Sequence, residues 1–286
     1  MIDRRDDPDL DLDDARREVL LRHARVIAAG GDPDEPLTAA HAFRPPPDMT
    51  PGEGLGLLAA TCLVMLSGFA SGWLSGLLGV RAASLVLLAV ASGAAWGLGG
   101  AALREHGRLP GVERVLLLGV LVVATLAGSP LALGLVPAFV HAAVARVMLA
   151  STRDEVSLVE KGARLSHPLA PSFIGPYCRC LTAVWGGLFA TSAAVTAAFA
   201  LGGYAEAHRA WTGWQFWTLL GAFSVVEFFW RKARFRYFGR GPLDRMLARL
   251  FPPEATERGR RSQAYLLRMR AELARLAEIE RQKARS

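Results

Sequence analysis

The chain has 286 residues, a net charge of +7 and 52% apolar side chains. Residues 54–80, 82–103, 115–145, 180–204 and 212–226 carry no charged residue at all, and about 20 apolar residues in a helix suffice to cross the ~30 Å hydrocarbon core of a bilayer. That patterning excludes an ordinary water-soluble globular protein and predicts an all-α, polytopic membrane protein.

Charge is unevenly placed: residues 1–53 hold 7 basic and 13 acidic groups, 54–230 hold 10 and 7, and 231–286 hold 16 and 6. The N-terminal stretch is acidic and polar, with no cleavable signal pattern. Within it, Asp13-Asp14 can cap a helix that runs through Val19, Leu20, His23, Val26 and Ile27 and stops at Gly30-Gly31. The linker 32–52 holds six prolines and reads as an extended connector.

The first two expected crossings, 54–80 and 82–103, meet at a short loop around Arg81. Gly68, Gly72 and Gly76 repeat every four residues in the first, and Gly93 and Gly97 do so in the second. Small residues at that spacing let helix backbones approach where lipid supplies no hydrophobic drive. Residues 115–145 are too long for one comfortable span, and Ser129-Pro130 interrupts them near the middle. A hairpin of two spans, about 113–128 and 131–150, puts the basic loops on both sides in one compartment. Its rival is a single kinked helix, which lowers the count from six crossings to five. A fifth span follows Cys180, and Trp211, Trp214 and Trp217 open the sixth, which Trp230 closes in the manner of aromatic belts. Basic residues at 104–114, 146–179 and after Trp230 place both termini on the cytoplasmic side. The domain plan is thus 1–53 as an N-terminal helix and linker, 54–230 as a six-helix transmembrane domain, and 231–286 as a basic tail.

In that tail, residues 242–251 set Leu243, Met246, Leu247 and Leu250 on one helical face, suited to the membrane interface. Residues 257–285 form a second helix with Leu266, Met269, Leu273 and Leu276 at heptad-like spacing. Two heptads are short for a coiled coil, so a solvated amphipathic helix is expected, with a docking or dimerising helix as the alternative.

Glu227 is the only acidic residue in an expected span, and ionisable groups there call for a functional hypothesis. Arg231 lies one turn on, so a structural ion pair competes with a substrate- or proton-linked role. His141 sits inside an expected span as a lone acyl- or proton-transfer base, with a hydrogen-bonded packing histidine as its competitor. The six histidines form no di-iron box, and neither a P-loop nor a dinucleotide fingerprint occurs. Three cysteines, Cys62, Cys178 and Cys180, make no disulfide framework. No catalytic residue, metal or cofactor is assigned, and the basic tail suits anionic headgroups rather than nucleic acid.

Several motifs occur in one order: Pro137 in an apolar helix, 157–164 (SLVEKGAR), Tyr177-x-Arg179-x-x-Thr182-x-x-Trp185, and 227–232 (EFFWRK). Over roughly residues 115–240 this pattern resembles a family of uncharacterised bacterial inner-membrane proteins. Their genes are often carried in clusters making aryl-polyene and xanthomonadin-type pigments, among ketosynthases, acyl carrier proteins and acyltransferases. The resemblance implies that Pro137, Tyr177, Arg179, Thr182, Trp185 and Glu227 occupy family positions. A polar Asn shortly after the proline in that family is replaced by the stretch containing Phe139 and His141, and the first 53 residues and the tail after Arg240 are additions. It further implies a non-enzymatic scaffold, or a lipid- or pigment-handling component, in the bacterial inner membrane beside cytoplasmic acyl-chain synthesis proteins. An exporter of an amphiphile and a membrane acyltransferase are the alternatives, and homo-oligomerisation is left open.

Overall fold

A computed structural model describes residues 14–30, 75–89, 119, 121–166, 171–238 and 241–285. The described residues are helical, with turns between helices and no strand. In chain order the helices are α1 (Asp14–Ala28), α2 (Ser75–Ala89), α3 (residues 121–127), α4 (Pro130–Ser151), α5 (Leu158–Ser166), α6 (Gly175–Leu201), α7 (Ala205–Ala210), α8 (Phe216–Phe235), α9 (Pro242–Leu250) and α10 (Glu257–Arg285). The chain divides into two compact units, one within Met1–Arg44, Leu158–Arg179 and Ala222–Ser286, the other within Pro45–Ser157 and Cys180–Gly221.

Among the described residues two helices are long and apolar enough to cross a membrane: α4 with 22 residues and α6 with 27, about 33 and 40 Å at 1.5 Å per residue. They correspond to the expected fourth and fifth spans. The sixth differs from expectation. A single π-helical turn, Trp211–Gln215, leads into α8, which continues past Trp230 to Phe235 and so includes Glu227, Arg231, Lys232 and Arg234. Helical hydrogen bonding does not stop where apolar sequence stops, and the basic residues simply occupy its last two turns. Most of the first three expected spans lies outside the described residues.

Where α2 is described, Arg81 lies within the helix rather than in a loop. Two residues earlier in the same helix Gly79 adopts φ +80°, a left-handed conformation open to glycine. Ala83 and Leu87 of α2 pack in one core with Leu121 and Ala124 of α3 and with Leu133, Val136 and Val140 of α4. Between α3 and α4 the chain breaks at Gly128 (φ +62°) and Ser129. The Ser129 side chain caps α4 by accepting from the Ala132 amide at 3.3 Å, and Pro130 fills the first turn, where its missing amide costs nothing. A Cβ on Gly128 would lie 3.3 Å from Arg81 Nε, so glycine serves both the turn and the passage of that arginine.

The other unit is organised by α10. Its Tyr265, Met269, Leu273 and Ala277 are buried against Leu20 and Ile27 of α1, with Leu266, Leu276 and Phe173 at the margin. The expectation of a solvated tail helix is therefore corrected: α10 docks on the N-terminal helix of the same chain. Burying side chains of this size yields about 1.5–3 kcal/mol each, which two isolated amphipathic helices forfeit. Arg281 donates to the Ile27 carbonyl at 3.4 Å, and Arg25 pairs with Glu280 at 3.5 Å. The end of α1 is thus capped by a side chain 254 residues away.

Candidate functional site

The residues singled out in the sequence fall into two clusters, one in each unit. In the unit containing Ala222–Ser286, the first turn of α6 carries Tyr177 and α8 carries Glu227 one turn before Arg231. The Tyr177 hydroxyl donates to Glu227 Oε1 at 2.9 Å, and Arg231 Nε lies 3.3 Å from the same oxygen. One carboxylate oxygen thus takes a neutral and a cationic donor, which answers its desolvation. The Arg234 guanidinium lies 5.8 Å from the centre of the Tyr177 ring, and Phe235 meets that ring edge-on at 5.1 Å. Arg234 Nε is buried and makes no hydrogen bond within the described residues.

Beside this group Glu160 of α5 is 4% exposed and accepts from Arg164 through Nη2 at 2.6 Å and Nε at 3.1 Å. A Cβ on Gly175 would fall 3.3 Å from Glu160 Oε2, so the first residue of α6 leaves room for that carboxylate. Cys178 is buried, Cys180 is exposed, and both are free thiols. Farther along, burial pushes the Tyr237 phenol up to about 12, so it stays neutral at any physiological pH.

In the other unit His141 stands at the middle of α4, 2% exposed. Its Nδ1 lies 3.0 Å from Ser192 Oγ of α6, and the Trp211 indole donates to the same oxygen at 3.2 Å. Because an indole only donates, Ser192 accepts from Trp211, and its oxygen joins the two rings in one hydrogen-bonded group. Phe189, Phe216 and Trp217 surround the imidazole, with ring centres 5.6, 4.7 and 6.5 Å away. This is a packed aromatic core, which Trp185 and Met148 extend.

Trp211 opens a single π-helical turn that runs to Gln215. One extra residue in the turn rotates the following helix, and such turns recur at functional positions. Trp214 is left exposed while Trp211 and Trp217 join the core; of the three tryptophans expected in an interfacial belt, two face protein. Two turns before His141, the Gly134 carbonyl accepts from His208 at 2.9 Å. Pro137, lacking an amide, cannot donate to the Leu133 carbonyl one turn back and loosens the helix there.

Of the residues in that pattern, Tyr177 and Glu227 meet across 50 residues of sequence. Thr182 is fully buried and Arg179 exposed, and Trp185 packs against the aromatic core. Gly76 is exposed and a Cβ there would meet nothing within 4 Å among the described residues; Gly68, Gly72, Gly93 and Gly97 lie outside them. Close small-residue packing occurs instead at Gly186, where a Cβ would come within 2.8 Å of the Leu149 side chain. Sequence reasoning passed over Ser192, His208, Glu160 and Arg234. A serine four residues before a threonine in an otherwise apolar helix was the available signal for Ser192. No group of three or more metal-ligating side chains occurs among the described residues.

No family model matches the chain, and no curated protein or solved structure is similar to it.

Proposed function

We propose that this chain is a multi-pass protein of the bacterial inner membrane that handles an amphiphilic lipid or pigment intermediate for cytoplasmic acyl-chain enzymes, and that it does so without catalysing a reaction itself. The observation that carries the reading is the Tyr177–Glu227–Arg231 group. It offers a hydroxyl, a carboxylate and a cation on helices whose neighbouring residues Val225, Val226, Phe229 and Trp230 are exposed apolar surface. A polar head beside an apolar flank is the chemistry that an amphiphile would recognise. The order of motifs over residues 115–240 supports the same reading through the resemblance described above.

The acyltransferase alternative gains a partner for His141 in Ser192, because a nucleophile and base must lie within hydrogen-bond reach. Both side chains are nevertheless sealed, at 2% and 1% exposure, and Trp211 already occupies the serine oxygen. The pair serves packing better than it serves turnover.

The test is the organic-solvent extract of a deletion strain against its parent, read by absorbance and mass. Loss of a long-chain conjugated or acylated species, restored by the parental gene but not by Glu227→Ala, is the expected result. Accumulation in the cells with depletion from the outer envelope would favour an exporter. An unchanged profile would remove the pathway from the proposal.

A further inference from the structure

Helix α9 turns most of its apolar side chains outward. Leu243, Met246 and Leu250 are 42%, 50% and 63% exposed, and only Leu247, at 3%, is buried. At 100° per residue the three exposed side chains form one ridge, and the exposed Arg245 and Arg249 flank it on the Met246 side. The opposite flank is held by Asp244, whose carboxylate pairs with Lys232 Nζ of α8 at 2.7 Å. Lys232 also donates to the Tyr237 carbonyl at 3.2 Å, and Arg236, just past the end of α8, adopts φ +53°.

Lys232 follows by two residues on Trp230, which is 59% exposed and of the type that marks the boundary between headgroups and acyl chains. The ion pair therefore holds the first turn of α9 beside the end of α8 where that boundary falls. Three partly exposed side chains offer well under the roughly 1,000 Å² that a stable protein interface requires. A second copy would also bring the same arginines against each other. An anionic bilayer surface has neither objection: acyl chains accept the ridge and phosphates accept Arg245 and Arg249.

We propose that α9 is an in-plane anchor lying in an anionic leaflet, with Leu243, Met246 and Leu250 among the acyl chains and Arg245 and Arg249 at the phosphates. The inference rests on reading the chain as membrane-embedded. It is independent of the cargo assigned to Tyr177 and Glu227.

The experiment uses the full chain, with its three cysteines replaced by alanine, in nanodiscs of either anionic or purely zwitterionic lipid. An environment-sensitive fluorophore is attached at Met246→Cys and, as a control, at Ala264→Cys on the exposed side of α10. In anionic discs the Met246 probe should shift to the blue and be quenched at least about twofold by lipids brominated on their acyl chains, while the control stays unquenched. Zwitterionic lipid, or Arg245→Glu with Arg249→Glu, should lower the ratio of buried to exposed probe by about fivefold for each arginine lost to the interaction. Water-like emission from Met246 in anionic discs overturns the proposal. A blue shift without bromolipid quenching overturns it too, because a protein, a second copy included, would then cover the ridge. Release of the chain from membranes by alkaline carbonate would reject the membrane reading itself, an outcome distinct from either.

Discussion

Both units bury polar groups next to apolar helix surface, and they settle the cost in different ways. Around His141 everything is neutral: imidazole, serine hydroxyl and indole satisfy one another, and the first two are almost fully enclosed. Around Glu227 a formal charge is present. There the cationic partner, Arg231, keeps a side chain 48% exposed. A neutral dipole can be sealed by one or two hydrogen bonds, whereas an ion pair recovers its desolvation poorly unless part of it stays hydrated. The neutral cluster therefore reads as an element of packing, and the charged one as a place where solvent can still compete.

The contrast can be broken most forcefully where the neutral cluster's helices meet. Gly186→Ile places branched carbon into the Leu149 side chain, and the overpacking should cost about 2–3 kcal/mol in a detergent–SDS unfolding titration. Adding Leu149→Ala should recover more than half of the loss; no recovery would show that the contact is not the cause. Ser192→Ala comes next. It leaves both the Trp211 indole and His141 Nδ1 without their partner and should cost about 1–2 kcal/mol in the same titration. A variant as stable as the parent would mean that the hydrogen bonds add nothing to packing.

The charged cluster should respond more mildly. Tyr177→Phe removes one donor for about 1 kcal/mol, and Glu227→Gln, which keeps an acceptor for Tyr177 while losing a half-exposed ion pair, should cost less still. If Glu227→Gln proves more damaging than Ser192→Ala, the assignment of structural and reactive roles is reversed. The smallest effect concerns the junction of α1 and α10. Hydrogen bonding from Lys283, with Arg25 nearby, lowers the Glu280 carboxyl below its usual value. A lowered folded-state value means that its contribution is complete above the ordinary carboxylate range and fades as pH falls through the lowered one. Protection of the last turn of α1 against hydrogen exchange, relative to the unfolded chain, should accordingly fall slightly on acidification below about pH 4, and Glu280→Gln should abolish that dependence.

Much of this was legible in the chain. The break at Ser129-Pro130 follows from a missing amide and a capping hydroxyl, both local properties, and it appears between α3 and α4. The i,i+4 relation of Glu227 and Arg231 likewise needs only helical geometry. The tail helix was misjudged because heptad-like spacing specifies an apolar face and says nothing about what covers it. The contacts of Trp211 and Trp217 were not legible for a related reason: an aromatic near a span's end suits lipid or protein equally, and both pack partly against the core around His141.

The sequence by itself determined the apolar character of the central helices, the interruption near residue 129 and the basic character of the C-terminal end. Each depends on composition or on neighbours within one or two turns. Tertiary structure alone decided that α1 covers α10, that Ser192 and Trp211 enclose His141, and that Tyr177 rather than Arg179 reaches Glu227. Those partners lie 51 residues apart for His141 and Ser192, 50 for Tyr177 and Glu227, and 254 for Ile27 and Arg281. At such separations many apolar faces and polar groups are chemically equivalent, and only the geometry of packed helices selects among them.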